Sequence, residues 1–435
     1  MPATPTLDRL RHAIAATMAV PRHGAPAPLA ESPGRPPAPP RFQDDDLPPI
    51  DRILRGDWHE TPHGPVFLRD DWFPLDHAHG AHPLGSALQT DPSALAQLLR
   101  AEHAPHPERY AFFDIETTGL SGGTGTYVVL AGLGTFERTL PGEPPSFRLR
   151  QYFLAGLQHE RAMLAMLAED LARFEAVVTY NGRAFDVPVV ESRLTMARLP
   201  SPYQSMAHFD LLHPVRRLYA HRMPGCRLAE AERRLLRIDR LDDVPGYLIP
   251  ALYRDYLVAG RASPLRGVFR HNAEDVLSLV GVLVSLAALL SRDDHDPDDA
   301  IAVARWCERA GEPRRAMRLY RGALPWLEGA GDWAWAAGRH AALCKRHGQR
   351  DESVEIWRRL WAAGDRAAGL ELAKHAEHRL KAFEEAAEVV TLLLPGAGAR
   401  ESADLSRRLT RIQRRSERRA GFSRRTRSAN GAASP

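Results

Sequence analysis

Two carboxylates separated by one residue, Asp114 and Glu116, close the apolar run that begins at Tyr110. Alternate residues of a strand share a face, so both side chains project the same way. Like charges at that range repel unless a carboxyl is protonated or a divalent metal is bound, and the spacing therefore suggests a site for Mg2+ or Mn2+. An isolated D-x-E is more simply two exposed acids at a strand end. Further acids strengthen the metal reading. Asp186, in Asn181-Gly-Arg-Ala-Phe185-Asp186, follows the strand 176–180 at the start of a helix, where open α/β sheets gather ligands; capping that helix is the plainer role for a lone aspartate. His271 and Asp275 stand four apart, one helical turn, so a base and a ligand can share a site. Asn272 and Glu274 are expected to point elsewhere on that helix.

Other residues invite chemistry less strongly. Asp210, in His208-Phe-Asp210, ends another strand-like run and suits either a supporting place behind the ligands or a structural cap. Thr117-Thr-Gly-Leu120 can offer backbone donors and an apolar wedge to a terminal nucleotide, or be a plain turn. Gly119-Leu-Ser121-Gly-Gly123 fits the serine-hydrolase elbow, but that elbow requires a helix straight after, and the strand-like Tyr127–Ala131 comes next. His77, His79 and His82 crowd a glycine-containing loop with no helical or strand placement, and are expected to be solvated rather than metal-bound.

The elements that position these residues follow from periodicity. Runs rich in aromatic and β-branched residues at 110–114, 127–131, 147–153 and 176–180 predict strands. Helical spacing at 160–174, and less cleanly at 185–199, places helices after strands, so residues 108–292 form an α/β sheet domain. Residues 1–48, rich in Pro and Ala, bury too little to fold and are expected to be disordered, and 49–107 form a small strand-bearing lead-in. From 297 to 395 the pattern is helical and repeats itself. Cys307-x-Arg309-x-Gly311 with Leu319-Tyr320-Arg321 returns 37 positions later as Cys344-x-Arg346-x-Gly348 with Ile356-Trp357-Arg358, and a weaker copy follows at an offset of 33, near the ~34-residue tetratricopeptide period. An ordinary helical bundle is the alternative.

The 435 residues, 44% hydrophobic and 26% charged, exclude wholesale disorder, a collagen and a coiled-coil rod. Cys226, Cys307 and Cys344 lie too far apart for a disulfide framework or a zinc ribbon, which suggests the cytoplasm. The apolar run Val276–Leu290 is shorter than the ~18 residues of a membrane span and reads as a buried helix, and the first residues match a secretory signal poorly. Net charge is +4, yet residues 400–427 alone hold eleven arginines against three acids. Within the basic segment 396–435, arginines at three- and four-residue spacing predict a stripe for weak, sequence-independent nucleic-acid contact, or a solvated tail.

Asp114, Glu116, Asp186 and Asp275 in this order, with His271 beside the last, resemble the DEDD (DnaQ-like) 3′–5′ exonuclease superfamily of the ribonuclease-H-like fold. Within it, Ser121-Gly-Gly-Thr-Gly125, Asn181-Gly-x-x-Phe-Asp186 and His271-Asn-x-x-Asp275 are similar to the YprB-like subgroup, whose tetratricopeptide-like extension would suit 297–394. The resemblance implies a ribonuclease-H-like mixed sheet with flanking helices over about 108–290, followed by an all-α helical array. It implies four metal-ligand carboxylates at Asp114, Glu116, Asp186 and Asp275, His271 as general base, two Mg2+ or Mn2+ ions, and single-stranded DNA or RNA as substrate. Three residues separate His271 from Asp275, the spacing of the family's tyrosine branch. Two-metal chemistry of this kind activates a water and steadies the leaving oxygen during attack on a phosphodiester, and the array would dock a protein partner. The competing expectations are a catalytically idle nucleic-acid-binding or scaffold protein and, with less support, a serine hydrolase.

Overall fold

The computed structural model describes residues 50–119, 125–140, 142–328 and 331–431. The segment expected to be disordered, 1–48, and most of the glycine-rich loop, including Ser121, lie outside the described residues. A short helix α1 (Ile50–Leu54) leads into strands β1 (Asp57–Thr61) and β2 (Gly64–Phe73), a small hairpin β3 (Ala78–His79) and β4 (His82–Pro83), and α2 (Pro92–Leu99). Three longer strands follow, β5 (Tyr110–Thr117), β6 (Val128–Glu137) and β7 (Ser146–Phe153). Then come α3 (Glu160–Leu171), β8 (Ala176–Thr179), α4 (Asp186–Met196), β9 (Ala207–Asp210) and α5 (Leu212–Tyr219). Short α6 (Leu228–Ala231) and α7 (Ile249–Ala259) precede the long α8 (Leu265–Ser291).

The seven main strands form one mixed sheet in the order β1-β2-β7-β6-β5-β8-β9. β5, β8 and β9 run parallel and the other pairs antiparallel. The lead-in 49–107 is thus part of the same sheet, because β2 pairs with β7 from Phe67↔Phe153 to Phe73↔Phe147. Alternation along β5 splits its side chains: Tyr110 and Phe112 join the core that contains the apolar half of α8, whereas Ala111, Phe113 and Ile115 pack with α3 and α4.

α8 is the central packing element. By length and apolar composition it passes as a membrane-spanning helix, yet most of that apolar stretch is buried inside the fold, as expected for 276–290. Each large aliphatic side chain buried there stabilises the fold by about 1.5–3 kcal/mol. Its serines are matched by the histidine loop: His79 Nε2 lies 2.8 Å from Ser278 Oγ, and His82 Nε2 lies 2.9 Å from Ser285 Oγ. Two of the three histidines expected to be solvated are therefore partnered to α8, and burial pushes the His79 imidazole down to about 4.

The helix can approach the sheet because β6 carries glycines where it crosses. Gly132 faces Asp114 and Gly134 faces Phe112 across the β5–β6 ladder. A Cβ at Gly132 would collide with Asn272 Oδ1 and lie 2.8 Å from Val276 Cγ2.

Beyond α8 the chain is helical: α9 (Pro297–Ala310), α10 (Pro313–Ala323), α11 (Trp333–Arg346), α12 (Arg350–Ala362), α13 (Arg366–His375), α14 (Phe383–Leu393) and α15 (Ala399–Gly431). The first six make three successive helical hairpins. Gly311 and Gly348, related by the 37-residue repeat, hold left-handed φ values of +80° and +81° between their paired helices. Lys381 takes the corresponding place in the third hairpin, with φ of +55°. The acidic break 293–299 does not interrupt the interior, since one continuous core runs from β5 and α8 into α9–α13.

The basic C-terminal segment is α15, and part of its stripe is committed internally. Fully buried Glu377 accepts from Arg408 Nη1 at 2.7 Å, Arg411 Nε at 2.9 Å and Arg415 Nη1 at 3.0 Å. Leu405 and Ile412 of the same helix are buried beside α14. Those three arginines face a carboxylate of this chain, which removes them from the row expected to meet phosphates.

Gly132→Val forces α8 away from β6. We expect a loss of about 1–3 kcal/mol, the usual cost of overpacking, read as a lowered denaturation midpoint at unchanged m-value.

Candidate active site

Asp114 and Glu116 leave the same face of β5, as strand alternation requires, and α8 lies over that face. Asn272 fixes the first carboxylate: its Nδ2 donates to Asp114 Oδ2 at 2.9 Å and to the Asp114 carbonyl at 3.2 Å. Its Oδ1 accepts from Gln151 Nε2 at 2.9 Å. The expectation that Asn272 points elsewhere is thus overturned. Neighbours on a helix are about 100° apart, and the close approach over Gly132 encloses an arc wide enough for both Asn272 and His271.

Asp186 is the first residue of α4, and its Oδ1 accepts the backbone N–H of Ile115 at 3.2 Å. Since Ile115 lies between the two acids of β5, this bond brings the third carboxylate against the first two. The turn before α4 is tied down by Asp210, which accepts from the backbone N–H groups of Asn181 at 2.8 Å, Arg183 at 3.2 Å and Leu212 at 3.2 Å. Asn181 itself takes a left-handed φ of +68°, which asparagine tolerates better than most residues. Asp210 is therefore the cap of the two alternatives.

His271 and Asp275 enter from α8. His271 Nε2 lies 3.6 Å from Glu116 Oε1 and 3.7 Å from Asp275 Oδ2. Its Nδ1 rests on Asp243, 2.8 Å from Oδ1 and 2.9 Å from Oδ2. Arg240 reaches the pocket from the same loop, pairing with Asp275 and with buried Glu232, and its Nε lies 3.6 Å from Glu274. Glu274 thus also turns toward the site's rim.

Burial and mutual repulsion dominate the electrostatics. Burial raises both β5 carboxyls well above their ordinary range, with Asp275 and Asp186 adding to the rise in each. Burial likewise pushes Asp186 up to about 7, although backbone N–H groups favour its charged form. For His271, burial alone would lower the imidazole; its bond to Asp243 and the charges of Asp275 and Asp243 outweigh that and raise it to about 9. Asp243 ends below its usual range, because the bond to His271 and the nearby cations overcome the effect of burial.

Half-buried acids held this close fit a divalent cation. Glu116, His271 and Asp275 present ligand atoms all within 4.8 Å of one another. A set dominated by carboxylate oxygens suits Mg2+ or Mn2+ rather than a soft metal. The structure brings together all five residues singled out in the sequence, Asp114, Glu116, Asp186, His271 and Asp275. It adds Arg240, Asp243 and Asn272. The first two sit in an aperiodic loop, where the acidic Asp239-Arg240-Leu-Asp242-Asp243 run offered no link to α8.

A mixed sheet in which β7, β6 and β5 run antiparallel with β8 and β9 parallel to β5, here extended by β1 and β2, and acids gathered over its central strand, defines the ribonuclease-H-like class, and residues 111–287 match the model of the RNase_H superfamily. The chain is also 31% identical over 364 residues to the uncharacterized protein YprB of Bacillus subtilis (strain 168), covering 80% of this chain and 86% of that protein. It belongs to the same ribonuclease-H-like family.

Raised acid and imidazole pKa values share one sign. Asp186 folds with a pKa above its unfolded value, as does His271, so their stabilising contributions are complete at low pH and fade as pH rises to about 7 and about 9. A cation replacing those protons should reverse the trend. Mn2+ should therefore raise the melting temperature more at pH 8.5 than at pH 5.5, and the difference should shrink in Asp186→Ala.

Proposed function

We propose that this protein is a metal-dependent 3′–5′ exonuclease acting on single-stranded DNA or RNA by a two-metal mechanism. The supporting observation is the convergence of four carboxylates from β5, α4 and α8 on one pocket, with a histidine anchored beside them. The polarity follows the resemblance to DEDD exonucleases, and the three helical hairpins are a tetratricopeptide-like surface for a protein partner.

Asp114, Glu116, Asp186 and Asp275 hold the ions, which when bound supply an activated water and neutralise charge on the leaving oxygen. The remaining work falls to the chain's own groups. Asp243 engages Nδ1 of His271, which fixes the ring and leaves Nε2, the nitrogen nearest Glu116 and Asp275, to take the water's proton. That role needs a neutral imidazole. The bond to Asp243, with the charges of Asp275 and Asp243, is what keeps it protonated toward pH 9, so a cation that neutralises Asp275 lowers the ring's pKa toward a working range. Asn272 keeps Asp114 oriented while its carbonyl side is bound by Gln151.

A catalytically idle scaffold is the second reading, and the pairing of Arg240 with Asp275 favours it, because a guanidinium already satisfies one of the four acids. The elbow of a serine hydrolase gains no support: β6, not a helix, follows the glycine-rich loop. End-labelled single-stranded RNA and DNA incubated with Mn2+ or Mg2+ distinguish them. The exonuclease shortens a 5′-labelled strand stepwise from its 3′ end, chelation stops it, and Asp186→Ala abolishes cleavage while retaining binding. Unchanged activity in Asp186→Ala, or none in the parent protein, rejects the proposal. His271→Ala should lower the rate by about 10²–10⁴-fold. Asp243→Asn removes the partner that holds the imidazole up, so the acidic limb of the rate profile should move to lower pH, together with a lower maximal rate.

A further inference from the structure

A second group of ligand-type side chains lies in the helical array, remote in sequence from the carboxylate pocket. His340 and Cys344, one turn apart on α11, face Glu352 on α12, and their ligand atoms all lie within 4.8 Å of one another. The His340 side chain is 2% exposed, and neither of its ring nitrogens has a hydrogen-bond partner among the described residues. Its Nε2 is 3.3 Å from Glu352 Oε1 but lacks hydrogen-bond alignment. Tyr320 stacks on the ring, with centroids 6.0 Å apart. An imidazole buried with both nitrogens unmatched calls for an unseen partner.

The internal repeat shows that packing alone does not require this histidine. An offset of 37 aligns Cys344 with Cys307, His340 with Val303 and Glu352 with Arg315. In the first hairpin Val303 is fully buried and fills the position with an apolar side chain. Arg315 there turns to Asp293, with Nε 2.8 Å from Oδ1. The cysteine is common to both hairpins, whereas histidine and glutamate occur together in the second.

We propose that His340, Cys344 and Glu352 form a zinc site that ties α11 to α12. Imidazole, thiolate and carboxylate in one place suit Zn2+ and contrast with the oxygen-rich set at the sheet. With ligand bonds of about 2.0–2.3 Å, the edges of a tetrahedron measure about 3.3–3.8 Å, and the His340–Glu352 edge, at 3.3 Å, already has that length. Arg321 orients the carboxylate, Nε donating to Oε1 at 2.8 Å and Nη2 to Oε2 at 2.7 Å. Outer-sphere partners of this kind commonly position metal-binding carboxylates. Gln349 Oε1, 3.7 Å from Cys344 Sγ, or a water completes the fourth position. Binding displaces the thiol proton of Cys344 to solvent.

Co2+ titrated into the reduced, metal-stripped full-length chain tests this, because cobalt bound to a thiolate gives a near-ultraviolet charge-transfer band that carboxylate-bound cobalt at the sheet does not. One equivalent should produce the band, Zn2+ should bleach it and excess Mg2+ should leave it intact. Cys344→Ser and His340→Val should lose it, Cys307→Ser should keep it, and Glu352→Gln should weaken binding at least tenfold. His340→Val reproduces the residue of the first hairpin and is expected to fold; should its melting curve show otherwise, Cys344→Ser decides. No band in the parent protein, or a band that survives Cys344→Ser, overturns the zinc site.

Discussion

Four carboxylates held together in a largely enclosed pocket are the constraint around which this molecule is built. Such a cluster repels itself, and burial removes the solvent that would screen it. The fold imposes the arrangement through contacts that are individually modest: a backbone N–H of β5 on Asp186, an amide of α8 on Asp114, a guanidinium on Asp275. β5 and α8 are anchored by a large apolar core, and that core offsets the repulsion. Protons or cations then relieve it, which links the pocket's ionisation to its chemistry.

Close approach of α8 to β6 is the second requirement. Glycine at 132 and 134 removes side chains where the helix crosses, and Val276 and Asn272 occupy the space. One substitution type, the absence of a Cβ, thus sets the depth at which His271 and Asp275 meet the β5 acids. The histidine loop 77–82 then secures the same helix further along, through Ser278 and Ser285.

Much of this was legible in the chain. Strand alternation placed Asp114 and Glu116 on one face, one helical turn joined His271 to Asp275, and the strand–turn–helix order put Asp186 at the sheet's edge. Repeat spacing located the helical hairpins, and Gly311 and Gly348 share a left-handed turn as their alignment required. What escaped depends on contacts between segments far apart in sequence. Arg240 and Asp243 lie in a loop with no period, and only folding brings them to α8. Asn272 was misplaced because a helical wheel fixes angles but not how tightly a helix is embraced. Glu377 gave no hint that it would gather Arg408, Arg411 and Arg415, since ion pairing across 31 to 38 residues leaves no local pattern.

α8 also governs how the polypeptide can be dissected. The helix extends over 27 residues, roughly 40 Å, with its first turns at the carboxylates and its last, Leu286 to Leu290, inside the interior shared with α9–α13. A cut after 292 would strip solvent protection from that terminal stretch and leave a greasy stump on the excised half. The ribonuclease-H-like sheet and the first two hairpins consequently share one interior, whereas the end of the stack closes around a smaller core of its own.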